Sequence, residues 1–499
     1  MSEAVNLGGF QPDVVIVGGG LSGLTAGLGL VQNGLKPLIL ERDAILGGRA
    51  RSWIDPVTGD SVTVGPHIFL SEYPNMRKFL GMLGTDDRIV WQKGRFIDIV
   101  DGEKITEIRM RPLPPPIHYV PAIIENPKFF PFKDIRSNRL TALMCMGLSE
   151  EDVLTLDRMD ALTVLRRLGV TEDYIKNFWA FTGLAIMNVP LSECSAGSIM
   201  RFFKLMISHK QYDVGFGDSG LGDMFTEQAK ALIEKGGGRV LTGVEVSRIT
   251  GEGDRATGVR LKDGTEIVAG HVLAALPPTQ LGAIVPEAWK RFKKPFSTAH
   301  KFAPSPYIST YLWFDRKLTS RQFWARKYDE NDLNCDFYDY SNIYRNRKTD
   351  TSLITTNCIY CARFSHMTDA QVVERTVREL SDFLPEAASA KLVGSLVVRI
   401  PMAIHCPGVG VESLRPAVDT DVLNLKVAGD WIQTNVPASM ESACGSGWMA
   451  AEAILAERGR DASYYVKRSP SQGIAAIVEH LTPRLRPIGL VPDPKDYVG

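Results

Sequence analysis

Asp13-Val-Val-Ile-Val-Gly-Gly-Gly-Leu-Ser-Gly23 is the stretch on which the reading of the whole chain turns. Residues 14–17 form a short unbroken apolar run, the pattern of a parallel strand buried on both faces, and glycines follow at once. In Gly18-x-Gly20-x-x-Gly23 the first glycine permits a tight turn, the second lets backbone approach a pyrophosphate, and the third packs helix on strand. Leu21 and Ser22 then open a helix whose free N–H groups face the phosphates, and the spacing carries that helix to about Asn33-Gly34. Pro37-Leu-Ile-Leu-Glu41 is a second buried strand, and Glu41 stands eighteen residues beyond Gly23. A carboxylate there accepts both hydroxyls of an adenosine ribose and disfavours a 2′-phosphate, with Arg42 beside it. The unit is β-α-β and reads as dinucleotide-binding.

Composition narrows the surroundings of this unit. The 499 residues suffice for two or three domains with real cores. Lys+Arg and Asp+Glu both number 57, so no global field draws the chain towards nucleic acid. A hydrophobic fraction of 44% with 23% charged residues excludes wholesale disorder and a polytopic membrane protein. Seven cysteines without repeated spacing suit a reducing, cytoplasmic compartment. Cys358-x-x-Cys361 lies in a strand-like stretch with no second ligand pair, so it carries no metal assignment. Residues 14–31 are uncharged, but their six glycines and the absence of a basic leader argue for strand, turn and helix, not a membrane span or signal peptide.

Beyond Glu41 the chain reads Leu46-Gly-Gly-Arg-Ala-Arg-Ser52. A nicotinamide dehydrogenase needs no second glycine pair, whereas a longer dinucleotide does. Gly47 and Gly48 allow close backbone approach, and Arg49 is a fork donor suited to phosphate or a reduced flavin ring. At the far end Val427-Ala-Gly429-Asp430 closes a strand, and residues 437–447 open a helix rich in small side chains. Pro437 suits its first turn, and Ala443, Gly445 and Gly447 would let it lie against a flat ligand. Ser439 and Met440 lie near its N-terminus, whose partial positive charge of about half a unit suits the negative edge of a reduced flavin. Asp430 is assigned to the ribityl or pyrophosphate side. The cofactor implied is FAD, and no metal is implied.

Between these pieces, residues 100–235 read as a mostly helical insertion, with seven prolines from Pro112 to Pro131 and helical patterning at 163–167, 174–184 and 198–207. Strand signals return at 238–241, 244–249, 256–261 and 271–276, then at 307–314 and 352–361, with a helix over 368–383.

The three flavin segments together resemble the two-dinucleotide-binding-fold flavoproteins. Residues 64–75, Val-Gly-Pro-His-Ile-Phe-Leu-Ser-Glu-Tyr-Pro-Asn, look like the segment after the first flavin motif in phytoene and zeta-carotene desaturases, as do 113–132, 160–164 and 184–190. Residues 184–196 and 434–441 are at least as similar to the hydroxysqualene dehydroxylases of the same flavin amine oxidase superfamily. Trp431-Ile-Gln-Thr departs from the desaturases' usual continuation, and 458–499 has no counterpart in the pattern. The resemblance implies an α/β fold: a Rossmann-like FAD domain from 1–100, 236–300 and 395–457, an inserted α+β substrate domain from 101–235 and 301–394, and a tail. It also places Gly65, Pro66, His67 and Val246 at the cofactor.

The chemistry it implies is hydride transfer at flavin N5 on a long apolar isoprenoid, by carotene desaturation or reductive dehydroxylation. Positioning matters more there than an acid–base pair. His67 is the catalytic candidate, because a histidine exchanges a proton near neutral pH. The alternative is a flavin amine oxidase acting on a small amine. A bilayer-dwelling substrate calls for an apolar mouth on the membrane surface, expected at 112–132 and 140–148, with Lys133, Arg136 and Arg139 meeting lipid phosphates. Prolines are expected to exclude regular helix from the first of these. The expected location is therefore cytoplasmic and peripheral to a membrane. The sequence assigns no oligomeric state.

Overall fold

The computed structural model describes residues 7–102, 104–210, 213–327, 329–347 and 350–499. Residues 1–6, 103, 211–212, 328 and 348–349 fall inside the domain spans drawn from the sequence and lie outside the described residues. Val14–Val17 is a strand buried along its whole length. It is the centre of a five-stranded parallel sheet ordered Arg239–Leu241, Pro37–Leu40, Val14–Val17, His271–Ala274, Leu425–Val427. Five segments spread over four hundred residues meet there because each is mostly apolar and satisfies its backbone polar groups inside the ladder. Burying each such side chain contributes about 1.5–3 kcal/mol.

The helix Leu21–Gln32 ends at Asn33, followed by Gly34 at φ +70°, as the glycine signal predicts. It packs against Met440–Glu457, so the first and last flavin segments share one core. A second sheet of seven strands runs Leu392–His405, Pro304–Phe314, Leu353–Ile359, Asp336–Asp339, Phe323–Arg326, Arg95–Asp101, Lys104–Arg109, antiparallel except for the pairing of 323–326 with 95–101. Helices from 120 to 208 lie with it around a separate core.

Three local readings change. The 174–184 pattern folds as two wide π-helical turns, Ile175–Ala180 and Gly183–Met187, and such widened turns are frequent beside functional sites. The proline-rich stretch holds a short helix, Val120–Glu125, because Pro121 sits in its first turn, where no intrahelical donor is lost. Met440–Glu457 starts three residues after Pro437, because Ser439 is extended and its side chain accepts from Ser442 N, fixing the cap there.

Candidate active site

The parallel sheet delivers Gly18 and Ala275 side by side at the carboxyl ends of neighbouring strands, the usual crevice for a ligand in such sheets. Gly18 has φ +108°, and a Cβ on it would stand 2.5 Å from the Ala275 carbonyl. A Cβ on Gly20 would meet nothing within 4 Å, so its backbone faces open space. Gly23 does not border that space. A Cβ there would stand 2.0 Å from the Gly18 carbonyl, so it locks helix onto turn and serves the site from beneath. Gly20 offers no side-chain cap to the helix that follows, leaving the N–H groups of the first turn for a ligand. Glu41 is fixed at both oxygens, Oε2 accepting from Gly19 N at 2.8 Å and Oε1 from Asp43 N at 2.9 Å. The second glycine pair joins the first directly, Gly47 N donating to Gly19 O at 2.9 Å.

These segments wall a cavity of about 600 Å³. Gly18, Gly20, Leu21, Ser22, Glu41, Arg42, Gly47, Gly48 and Arg49 line it, with Gly65, Pro66, His67, Val246, Gly429, Asp430, Ser439, Met440 and Ala443. Arg49 and Asp430 do not act separately. The guanidinium forks onto the carboxylate at 2.7 and 3.0 Å and also reaches the Ala403 carbonyl. Burial works to raise the Asp430 carboxyl, but Arg49, with His405 and Arg415, outweighs it and lowers the pKa. Gly445 and Gly447 serve packing, not a ligand. A Cβ on Gly447 would strike the Ser22 carbonyl at 2.5 Å, and Gly445 lies under the Tyr465 ring. Trp431 points away, donating from Nε1 to Leu276 O behind the turn.

His67 Nδ1 lies 2.7 Å from the Gly65 carbonyl, which can only accept, so Nδ1 carries the proton and Nε2 keeps its lone pair. Burial against the cavity lowers its pKa, leaving a neutral imidazole at neutral pH.

The family model for flavin containing amine oxidoreductases matches residues 21–455. The chain belongs to that family. Within the flavin containing amine oxidoreductases, the chain is 25% identical over 461 residues to a 15-cis-phytoene desaturase of Solanum lycopersicum, spanning 89% of this chain and 77% of that protein. It is 26% identical to the 15-cis-phytoene desaturase of Synechococcus elongatus, spanning 89% and 96%. It is 22% identical to a probable zeta-carotene desaturase of the same organism, spanning 89% and 98%. Among solved structures, putrescine oxidase bound to putrescine superposes with TM-score 0.67 at 15% identity over 90% of this chain and 99% of that one. Cyclohexylamine oxidase from Brevibacterium oxydans gives 0.65 at 16%, over 90% and 100%. These two show the fold.

This family member is an FAD-dependent oxidoreductase, and its residues suit the cofactor. The open cradle at Gly20, the uncapped helix and the fixed Glu41 are the parts a flavin adenine dinucleotide requires. Bound FAD supplies the two-electron acceptor or donor.

The cofactor is expected to be noncovalent. Cys444 is fully buried against Met76, sulfur to sulfur at 3.3 Å, and does not border the cavity. Acid precipitation should release yellow colour into the supernatant. Colour retained in the pellet overturns this.

Several wall residues carry no signal in the sequence. Tyr307, Asp336, Asn357 and Arg468 reach the cavity from strands and loops whose facing depends on distant packing. Glu441 borders it too, and its carboxylate accepts from Asn75 N, Met76 N and Asn75 Nδ2, capping the helix Pro74–Leu83 from outside. Among the described residues no His/Cys/Asp/Glu group suited to a metal occurs.

Proposed function

We propose that this protein oxidises a long-chain isoprenoid of the carotene class, transferring hydride to FAD at a membrane surface. The observation that carries the reading is the wall of the cavity beyond the flavin segments. Phe96, Phe181, Ile186, Phe202, Leu205 and Phe323 face it from both the helices and the seven-stranded sheet. Such a lining suits a hydrocarbon held by burial alone, at roughly 0.8 kcal/mol per methylene. The desaturases among the relatives support the same substrate class. Reductive dehydroxylation of a hydroxysqualene-type substrate uses the same apolar wall and hydride chemistry in the opposite direction, and belongs in the same assay.

Anaerobic mixing with a panel of phytoene, hydroxysqualene, squalene and small amines tests the reading. Phytoene, dispersed in detergent or vesicles, is expected to bleach the oxidised flavin. Bleaching by amines alone would replace the isoprenoid reading with the amine oxidase one.

The membrane part rests on an exposed apolar patch. Ile124 and Phe132 are 71% and 81% exposed, with Leu113, Ile117 and Val120 also exposed. The tail adds to it. Its helix Gly473–Leu485 begins beside the prolines, Ile474 N donating to Pro115 O, and presents Ile474 and Ile477 to solvent. Lys128, Lys133, Arg136 and Arg139 are exposed on the neighbouring surface, the charge an anionic lipid face attracts. Phe130 turns inward and Phe129 packs edge-on against it at 4.8 Å, so neither belongs to the patch. No helix among the described residues is long and apolar enough to cross a membrane. Replacing Ile124 and Phe132 together with Ser should reduce co-sedimentation with anionic vesicles about tenfold or more while leaving the flavin spectrum intact. Wild-type protein that ignores vesicles would remove this part.

A further inference from the structure

Resting on that reading, we propose that Asp336 is the catalytic base that takes the proton when the isoprenoid is oxidised. Forming a C=C bond removes a hydride from one carbon and a proton from its neighbour. The hydride leaves with its electron pair for the oxidised flavin. The second C–H bond gives its pair to the new double bond, and its proton needs an acceptor inside a dry wall.

Asp336 meets that need by position. It borders the cavity from the strand Asp336–Asp339 and is 6% exposed. Oδ2 accepts from the Tyr338 hydroxyl at 2.9 Å, whereas Oδ1 has no hydrogen-bond partner among the described residues. A buried carboxyl with an idle oxygen costs stability and is retained only where something compensates. Its register partner is Asn357, whose Oδ1 accepts from Ser309 Oγ at 2.9 Å. A Cβ on Gly65 would lie 2.8 Å from that Ser309 Oγ and 3.7 Å from Asn357 Oδ1. The cluster thus abuts the Gly65-Pro66-His67 segment of the cofactor wall.

The titratable groups that reach Asp336 are Tyr307 from Pro304–Phe314, Cys335 and Tyr338 next to it in its own chain segment, and Tyr340 just after. Burial raises the pKa of all four, so they are neutral near neutral pH. Burial likewise lifts the Asp336 carboxyl to about 7, against the hydrogen bond from Tyr338 that favours its ionised form. A base poised there accepts a proton from substrate and returns it to water when product leaves. His67, tied to Gly65 and neutral, remains a neighbour of the reacting site.

The test is anaerobic flavin reduction by phytoene in the FAD-loaded protein, followed against pH. In wild type the rate should rise with pH through about 7, because only the carboxylate accepts. Asp336→Asn should slow reduction on the order of 10²–10⁴-fold and erase that limb, with flavin content and the spectral perturbation on binding phytoene unchanged. Tyr338→Phe removes a hydrogen bond to the carboxylate and should move the limb to higher pH. Unchanged rate and limb in Asp336→Asn overturn the proposal. If that variant does not fold, a wild-type profile flat across neutral pH, or a limb unmoved in Tyr338→Phe, overturns it instead. Wild-type flavin that no isoprenoid reduces sinks the functional reading, and the base with it. Should an amine then bleach the flavin, Asp336→Asn separates two roles. A raised KM at constant kcat makes Asp336 an ammonium anchor and rules it out as the base.

Discussion

Gly20→Val is expected to give a folded protein without flavin. Gly20 sits at φ −80° and ψ −177°, an extended conformation that valine adopts without strain, and its Cβ would meet no protein atom within 4 Å. The branched side chain therefore starts into open space and fills the region where backbone must approach pyrophosphate. The purified variant should be colourless, elute as wild type does, and remain colourless after incubation with FAD. Gly23→Ala makes the opposite case. Its methyl group would stand 2.0 Å from the Gly18 carbonyl, so the turn must open, and loss of soluble protein is expected. Glu41→Ala should weaken flavin binding less than Gly20→Val, since about one or two ribose hydrogen bonds are lost. A yellow Gly20→Val would remove the loop from the cofactor site.

The second large effect lies outside the cavity. Glu412 is nearly fully buried, with Arg201 and Arg415 on its carboxylate and Ser198 Oγ donating at 2.7 Å. Arg201 belongs to the helix Ala196–Ser208, which carries Phe202 and Leu205 into the cavity wall. Arg415 donates to the Ile432 and Val436 carbonyls at 2.7 and 2.8 Å and so fixes the turn between Asp430 and Ser439. Glu412→Ala leaves Arg415 buried without its carboxylate and Arg201 with Glu150 alone, a loss expected to cost about 3–5 kcal/mol. The urea midpoint should fall accordingly, with flavin released earlier in the transition.

The pH dependence has a definite sign. Burial opposes ionisation of Glu412, but Arg415 and Arg201 prevail and bring its pKa down from 4.5 to about 2. The folded value is depressed, so the stabilisation is fully present above about 4.5 and is lost as pH falls towards 2. The gap between wild type and Glu412→Ala should be constant near neutrality and narrow below about 4.5. A gap that stays the same at pH 3, measured by urea titration, would assign the loss to packing instead of charge.

What the sequence determined by itself was the local part of this protein. Residues 13–41 state their own fold, because an apolar run, glycines at fixed offsets and a terminal acid constrain backbone geometry within thirty residues. The same holds for Gly47-Gly48, whose left-handed φ values of +105° and +57° favour glycine, and for the cap at Ser439. Tertiary structure alone decided everything that joins distant segments. Arg49 and Asp430 are 381 residues apart, and only the fold brings them to the same cavity wall as a pair. Phe129 and Ile124 look alike in an apolar stretch, yet one packs inward and the other faces solvent, since hydrophobicity specifies burial without specifying against what. Gly445 and Gly447 look made for a flat ligand and instead admit Tyr465 and the first helix. Asp336 carries no motif at all. It becomes a distinct group only because sheet register sets it opposite Asn357 in a water-poor wall, where the cost of desolvating a carboxylate gives one ordinary aspartate the pKa of a base.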